Sequence, residues 1–403
     1  MQPARRLEQI KPAILSLITA KIARLKAQGR EVINLGIGEP DFDTPDHIKL
    51  AAMHAIILGK TKYTPAEGTP SLRQAIVTKF QRDNGLSYAA NQILVSCGGK
   101  HSIYNMLHAV IDPGDEVIIP APYWPSFPEI VLLAGGTPVI VPCGIENGYK
   151  LTARQLAAAL TSRSKVLILN SPSNPTGAMY APEELRALGR VLAPTDIHVL
   201  SDDIYEQILF KGNKFFNLPM VLPEFEDRTV IINGVSKTYA MTGWRIGYAA
   251  GPAHLIAAMA TMQAQSTTSA CSISQAAAEA AINGDQRCIT PMVRAFEKRH
   301  QYVVQALNAM PGIRCLPSAG AFYAFADVSE TLALLTAAGR LRAPTDVDFA
   351  EYLLEAAGIS LVPGSAFGLA GHIRISFATS MATLRGALTA LARLVKPGPR
   401  PAA

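Results

Sequence analysis

Five short runs rich in Val, Ile and Leu, separated by longer stretches of helical periodicity, constrain this chain more than any other feature. They are Ile93-Leu94-Val95, Glu116-Val117-Ile118-Ile119, Val166-Leu167-Ile168-Leu169, Ile197-His198-Val199-Leu200 and Thr229-Val230-Ile231-Ile232. A strand with one wet face alternates apolar and polar residues; runs as continuous as these suit strands covered on both faces. Strands that alternate with helices in sequence build a mostly parallel α/β sheet flanked by helices, and that is the prediction for residues 90 to 250. The chain has 403 residues, beyond the roughly 250 to 300 at which one core stops growing, so a smaller second domain is expected. After about residue 285 the pattern changes to a long helix through Glu297-Lys298-Arg299-His300, an alternating segment Ala321-Phe322-Tyr323-Ala324-Phe325, and further helices. This reads as an α+β domain. The expected division is 1–46 as an N-terminal helix and segment joining the small domain, 47–297 as the large domain and 298–403 as the small one.

Charge and composition exclude several function classes. The formal net charge is +6, but the basic residues are scattered among acids, which argues against a nucleic-acid surface. Five cysteines (Cys97, Cys143, Cys271, Cys288, Cys315) are widely spaced, with no CxxC and no histidine at metal-ligand spacing. They read as reduced core residues in a cytoplasmic protein, and no metal is expected. The segment Ala13 to Ile18 after Arg5, Arg6 and Lys11 has the outline of a signal peptide but is too short, and Lys21, Arg24 and Lys26 follow it. Its apolar positions recur at helical spacing, so an amphipathic helix is expected. No stretch has the length to span a membrane.

In open α/β sheets ligands lie beyond the carboxyl ends of the strands, and polar residues follow the apolar runs here. Ser236-Lys237-Thr238 follows one, with Thr242-Gly243-Trp244-Arg245 close behind. A lysine amine forms an imine with a carbonyl, and an arginine fork grips a phosphate. A lone lysine is most often a solvated surface residue. Asp202 ends another run, with Tyr205 three residues on; it suits either a helix N-cap or a carboxylate paired with a protonated ring nitrogen. Asn174, in Asn174-Pro175-Thr176-Gly177, fits a turn or an amide donor to a ligand. Gly98-Gly99-Lys100 stands between a strand and a helical pattern, where bare backbone amides favour a phosphate; it has neither Walker nor GxGxxG spacing. Trp124 is a core side chain or a stacking platform. Arg374, in His372-Ile373-Arg374-Ile375-Ser376, is a charge inside an apolar run; it needs an anionic partner, a salt bridge or a ligand.

Together these segments closely resemble the class-I aminotransferases of fold type I, over essentially the whole chain. Gly38-Glu39-Pro40-Asp41-Phe42, Lys62-Tyr63-Thr64-Pro65, Gly98-Gly99-Lys100, Ser171 to Gly177, Ser201 to Tyr205, Ser236-Lys237, Gly243 to Gly247 and Arg374 occur in the family's order. Within the family the chain is most similar to bacterial aspartate aminotransferases of the thermophile-type subgroup, some of which also use prephenate. Two departures are visible: Asp203 stands where many relatives have Glu, and Leu15 stands where close relatives have a threonine thought to face the substrate side chain.

The resemblance implies pyridoxal 5'-phosphate as cofactor, with Lys237 holding it as a Schiff base and moving the proton, and Asp202 keeping the pyridine nitrogen protonated. Tyr205 and Asn174 would hydrogen-bond the ring hydroxyl, and Trp124 would stack on the ring. Gly98, Gly99, Lys100, Ser236 and Arg245 would hold the phosphate with Tyr63 from a neighbouring subunit, which requires a homodimer. Arg374, with Gly38 and Asn174 alongside, would take the substrate α-carboxylate. Lys100 is the candidate for a distal carboxylate, and Lys11 for those of larger acids. The expected reaction moves an amino group from L-aspartate to 2-oxoglutarate, with prephenate as a further acceptor. An alanine or aromatic aminotransferase or a β-lyase shares every cofactor residue. A transcription regulator with this fold needs a DNA-binding module before Gly38, where there is room for one helix.

Overall fold

A computed structural model describes residues 2–10, 14–210 and 212–396. Strands are numbered along the chain: β1 (Ile33–Asn34), β2 (Ile93–Ser96), β3 (Glu116–Ala121), β4 (Thr137–Pro142), β5 (Ser164–Asn170), β6 (His198–Asp202), β7 (Thr229–Gly234), β8 (Gly247–Ala250), β9 (Arg314–Cys315), β10 (Tyr323–Asp327), β11 (Ile359–Ser360), β12 (Val362–Pro363) and β13 (His372–Ser376). The larger sheet has the order β2-β8-β7-β6-β5-β3-β4. Its neighbours from β7 to β4 are parallel, and β8 runs antiparallel to both β7 and β2. The chain therefore has the mixed, mostly parallel sheet expected, flanked by helices.

The continuous apolar runs have a physical reason in the two faces of this sheet. Val166, Ile168 and Leu200 point into one hydrophobic cluster, with Ile103, Met106 and Met259 from helices Gly99–Val110 and Ala253–Ala264. Their neighbours Leu167, Leu169 and Val199 point into another, with Leu185 and Leu188 of helix Pro182–Leu192. Each such fully buried aliphatic side chain contributes roughly 1.5–3 kcal/mol.

Two strands of this larger sheet escaped the sequence reading. β8 is Gly247-Tyr248-Ala249-Ala250, without the branched residues that signal a strand. Its glycine is required by contact: a Cβ on Gly247 would lie 2.2 Å from the Gly99 amide nitrogen. β4 is an edge strand whose Thr137 and Pro142 are exposed, and edges tolerate proline and lack the continuous apolar pattern.

The smaller sheet has the antiparallel order β12-β13-β10-β9, and β1 pairs separately with β11. Its hydrophobic cluster joins Phe322, Ile373 and Ile375 to helices Ile289–Asn308 and Met381–Val395, and also takes in Tyr205, Ile208 and Phe210 from beyond β6. The helix Ile289–Asn308 links the two regions: Ile289 packs with residues of the larger sheet, Phe296 and Val303 with the smaller. Arg299 on this helix donates to Asp41 from Nη1 and Nη2, at 2.6 and 2.9 Å, which ties down the segment after β1. The N-terminal helix runs Ile14–Ala27 and buries Ile22 and Leu25. No described helix is long and apolar enough to cross a membrane.

Candidate active site

The chemistry gathers at one edge of the larger sheet, where the parallel strands end. Asp202 is the last residue of β6 and pairs beside Asn170, the last of β5. Ser236 and Lys237 follow β7. Because β8 runs the other way, Arg245 before it reaches the same edge, as does the Gly98-Gly99 turn between β2 and its helix. A cavity of about 320 Å³ opens there, lined by Asp202, Tyr205, Ser236, Lys237 and Arg245 on the sheet side. Gly38, Gly99, Lys100, Trp124, Asn174 and Arg374 complete the predicted residues in its wall.

Lys237 donates from Nζ to the Gly38 carbonyl at 2.6 Å. Burial brings its amine down to about 8, opposed by Glu39 and assisted by the positive Arg245 and Arg374. An amine held that low spends much of its time neutral near pH 8, the form that attacks a carbonyl or accepts a proton. Burial also pushes the Asp202 carboxyl up to about 7, against the Ile204 amide and the Lys237 charge. A buried acid in this state is stabilised by a cation placed against it. Asp203 does not face the cavity: its carboxylate accepts from Ser201 Oγ at 2.6 Å and Asn217 Nδ2 at 2.8 Å, which makes it a structural neighbour of Asp202.

Around Gly98 the backbone makes an anion cradle. Gly98 has φ +92°, and a Cβ on it would lie 2.4 Å from Arg245 Nη2, so only glycine lets the guanidinium close over the turn. Arg245 itself sits in the left-handed region at φ +56°, a conformation costing of order 1–3 kcal/mol that persists where surrounding contacts enforce it. Its Nη1 donates to the Thr242 carbonyl at 2.8 Å, turning the side chain toward the first amides of helix Gly99–Val110. Free amides, the helix dipole and a guanidinium together suit a phosphate.

Arg374 is the most unusual charge in the molecule. It is 1% exposed and has no ion pair among the described residues. Nη1 donates to Asn174 Oδ1 at 2.9 Å and Nη2 to the Gly36 carbonyl at 2.5 Å, while Nε has no partner. The rings of Tyr323 and Phe367 lie 4.5 and 5.0 Å from the guanidinium. A buried guanidinium satisfied only by neutral oxygens is a slot for an external carboxylate. Asn174 is itself aimed by Asn170, whose Oδ1 accepts from its amide at 2.8 Å while Nδ2 donates to the Asp202 carbonyl at 2.9 Å. The acid and the arginine are thus joined through two asparagines.

Lys100 lies at the rim with Nζ 4.7 Å from the Trp124 ring centroid, and burial, then Arg245, lowers its pKa. Tyr63 is not in this wall; it is 93% exposed. Lys11 lies outside the described residues, and nothing is described of the Leu15 side chain. The sequence reading missed Asn170 and, above all, Tyr323, whose hydroxyl lies 2.8 Å from that of Tyr205. The alternating segment around Tyr323 was visible, but an alternating strand gives no sign of which inward residue meets a ligand.

A fit to pyridoxal phosphate is supported by this donor set: an amine of lowered pKa for an aldehyde, a buried acid for a ring nitrogen, and a glycine-built cradle for a phosphate. The model for aminotransferases of class I and II matches residues 30–391. The aspartate/prephenate aminotransferase of Nitrosomonas europaea is 53% identical over 98% of this chain and 100% of its own length. A Rhizobium meliloti aspartate aminotransferase is 48% identical over 97% of this chain and 95% of that one. Among solved structures, an aspartate aminotransferase from Rhizobium meliloti superposes with TM-score 0.93 at 46% identity, covering 98% of this chain and 99% of that one. The Thermus thermophilus aspartate aminotransferase with maleate gives 0.91 at 41% identity, covering 98% and 100%. With family, fold and site in agreement, this chain belongs to the class I and II aminotransferases and is a pyridoxal-phosphate-dependent enzyme of that family.

Proposed function

We propose that this enzyme transfers the amino group of L-aspartate to 2-oxoglutarate in two half-reactions, and that it also accepts prephenate. The observation that carries this reading is a pair of cations in one cavity, Arg374 and Lys100, neither with a carboxylate partner among the described residues. Arg374 suits the α-carboxylate and Lys100 a distal one, so a dicarboxylic substrate satisfies both. The names of the relatives above point the same way. Lys11 is assigned to the carboxylates of larger acids on the resemblance alone.

In this reading Lys237 would hold the cofactor through its amine and would take and return the proton at the substrate Cα. Asp202 would keep the ring nitrogen protonated, Tyr205 and Asn174 would hydrogen-bond the ring hydroxyl, and Trp124 would stack on the ring. The amides at Gly98, Gly99 and Lys100 take the phosphate with Ser236 and Arg245. Pyridoxal phosphate, when bound, supplies the electron sink for negative charge at the substrate Cα.

The division into residues 1–46, 47–297 and 298–403 is supported by the hydrophobic clusters, because one of them gathers residues 292 to 395 with Leu35 and the stretch after β6. A homodimer is supported by two features. Tyr63 is exposed and does not line its own cavity, which leaves it available to a partner's phosphate. Leu50, Met53, Ile56, Ile57 and Leu58, on and just after helix Asp46–Ile57, leave more than half of their surface exposed, a patch that suits a subunit interface. A sedimentation-equilibrium mass of one chain would remove this part of the reading. The five free thiols support a reducing compartment, the cytoplasm.

A panel of amino donors with 2-oxoglutarate tests the substrate. Aspartate is expected to exceed alanine and phenylalanine in kcat/KM by at least about tenfold, the scale of one pocket contact, with prephenate serving as acceptor in the same panel. Alanine or aromatic donors outrunning aspartate would place the enzyme with the alanine or aromatic aminotransferases.

A further inference from the structure

Tyr323 touches three parts of the site and has none of the roles assigned above. It opens β10 on the smaller sheet, paired with Ser376 of β13. Its ring face lies 4.5 Å from the Arg374 guanidinium. Its hydroxyl is 2.8 Å from that of Tyr205. It also fills the space beside Gly38, where a Cβ would lie 3.0 Å from the Tyr323 oxygen. Gly38 is the residue whose carbonyl accepts from Lys237, so Tyr323 stands where the base, the carboxylate slot and the ring-facing tyrosine meet.

The contact between the two hydroxyls has a direction that proton counting supplies. Both tyrosines are at most 3% exposed, and burial raises both hydroxyls above the ordinary phenol range; each therefore keeps its single proton at neutral pH. A tyrosine hydroxyl has one proton to donate and lone pairs to accept with. If Tyr205 gives its proton to the ring oxygen of the cofactor, only Tyr323 can be the donor between the two. Among the described residues no other group bonds the Tyr205 hydroxyl; its other close aromatic neighbour is the Phe322 ring, at 5.5 Å.

We infer that Tyr323 is a positioning residue that, by donating to Tyr205, aims and strengthens the hydrogen bond from Tyr205 to the cofactor's ring oxygen. The inference rests on the reading of Tyr205 given above and goes beyond it. A hydroxyl that accepts a hydrogen bond becomes a better donor, by about 10–30% per bond in a chain. A stronger donor on the ring oxygen stabilises its negative charge, so the nitrogen shared with Lys237 holds its proton less tightly. Tyr323 thereby lowers the pH at which the bound cofactor loses that proton. Phenylalanine at this position keeps the ring against Arg374 and removes the hydroxyl alone.

The test is the visible absorbance of the holoenzyme as a function of pH, for the wild type, Tyr323→Phe and Tyr205→Phe. The titration midpoint is expected to rise by a few tenths of a pH unit in Tyr323→Phe, and by more in Tyr205→Phe. A midpoint that stays put or falls in Tyr323→Phe, while Tyr205→Phe raises it, overturns the inference and leaves the role of Tyr205 standing. A midpoint unmoved in Tyr205→Phe overturns the role of Tyr205 and the inference with it. A side chain that only packs would leave the midpoint where it is.

Discussion

Lys237→Ala is expected to fold normally and to turn over about 10⁴-fold more slowly, the upper range for loss of a general acid-base group. The fold survives because the amine contributes little to it: one hydrogen bond to the Gly38 carbonyl, set against the cost of burying a cation. Removing it leaves β7 and its neighbours paired as before. The variant also loses the visible absorption that depends on the lysine amine. Steady-state rates with aspartate and 2-oxoglutarate, alongside a thermal melt, separate a lost catalyst from a lost fold. A variant that keeps wild-type turnover would show that another group moves the proton.

Arg374→Lys is expected to lower kcat/KM for the amino donor by about 10²- to 10³-fold. That corresponds to about 3–4 kcal/mol, within the range for truncating one member of a buried charged pair. The charge is conserved, but the fork is not: a lysine cannot reach Asn174 Oδ1 and the Gly36 carbonyl together and still face a carboxylate with two donors. It also gives up the stacking between Tyr323 and Phe367. The visible absorption of the bound cofactor should persist, since the proposed cradle at Gly98-Gly99 and the amine of Lys237 are untouched. An unchanged kcat/KM would mean that the α-carboxylate binds elsewhere, with Lys100 the first alternative.

The two variants separate the halves of the site, and the sequence revealed those halves to different degrees. β2, β3, β5, β6 and β7 were legible because each is covered on both faces, so aliphatic side chains follow one another along the strand. β8 was not, because its fit against the Gly98-Gly99 turn demands a glycine at position 247 and its alanines carry no strand signal. Arg374 was legible as a charge out of place in an apolar run. Lys237 was legible only in company with Asp202 and Arg245. What stayed hidden were the pairings between distant segments, such as Tyr205 with Tyr323, 118 positions apart, or Arg374 with Asn174, 200 apart. Such pairs are made by the way the smaller sheet packs on the edge of the larger one, and no local pattern encodes them. Tyr63 marks a different limit: it is exposed and outside the cavity wall, so the role proposed for it depends on the proposed homodimer.

Lys237, and not Lys100, is the lysine proposed to hold the cofactor. Reduction of the holoenzyme with borohydride fixes the cofactor to the amine that carries it, and mass analysis of the digested protein then locates it. The predicted result is a single modified peptide carrying the added mass on Lys237. The added mass on Lys100, the other lysine lining the cavity among the described residues, would overturn that assignment.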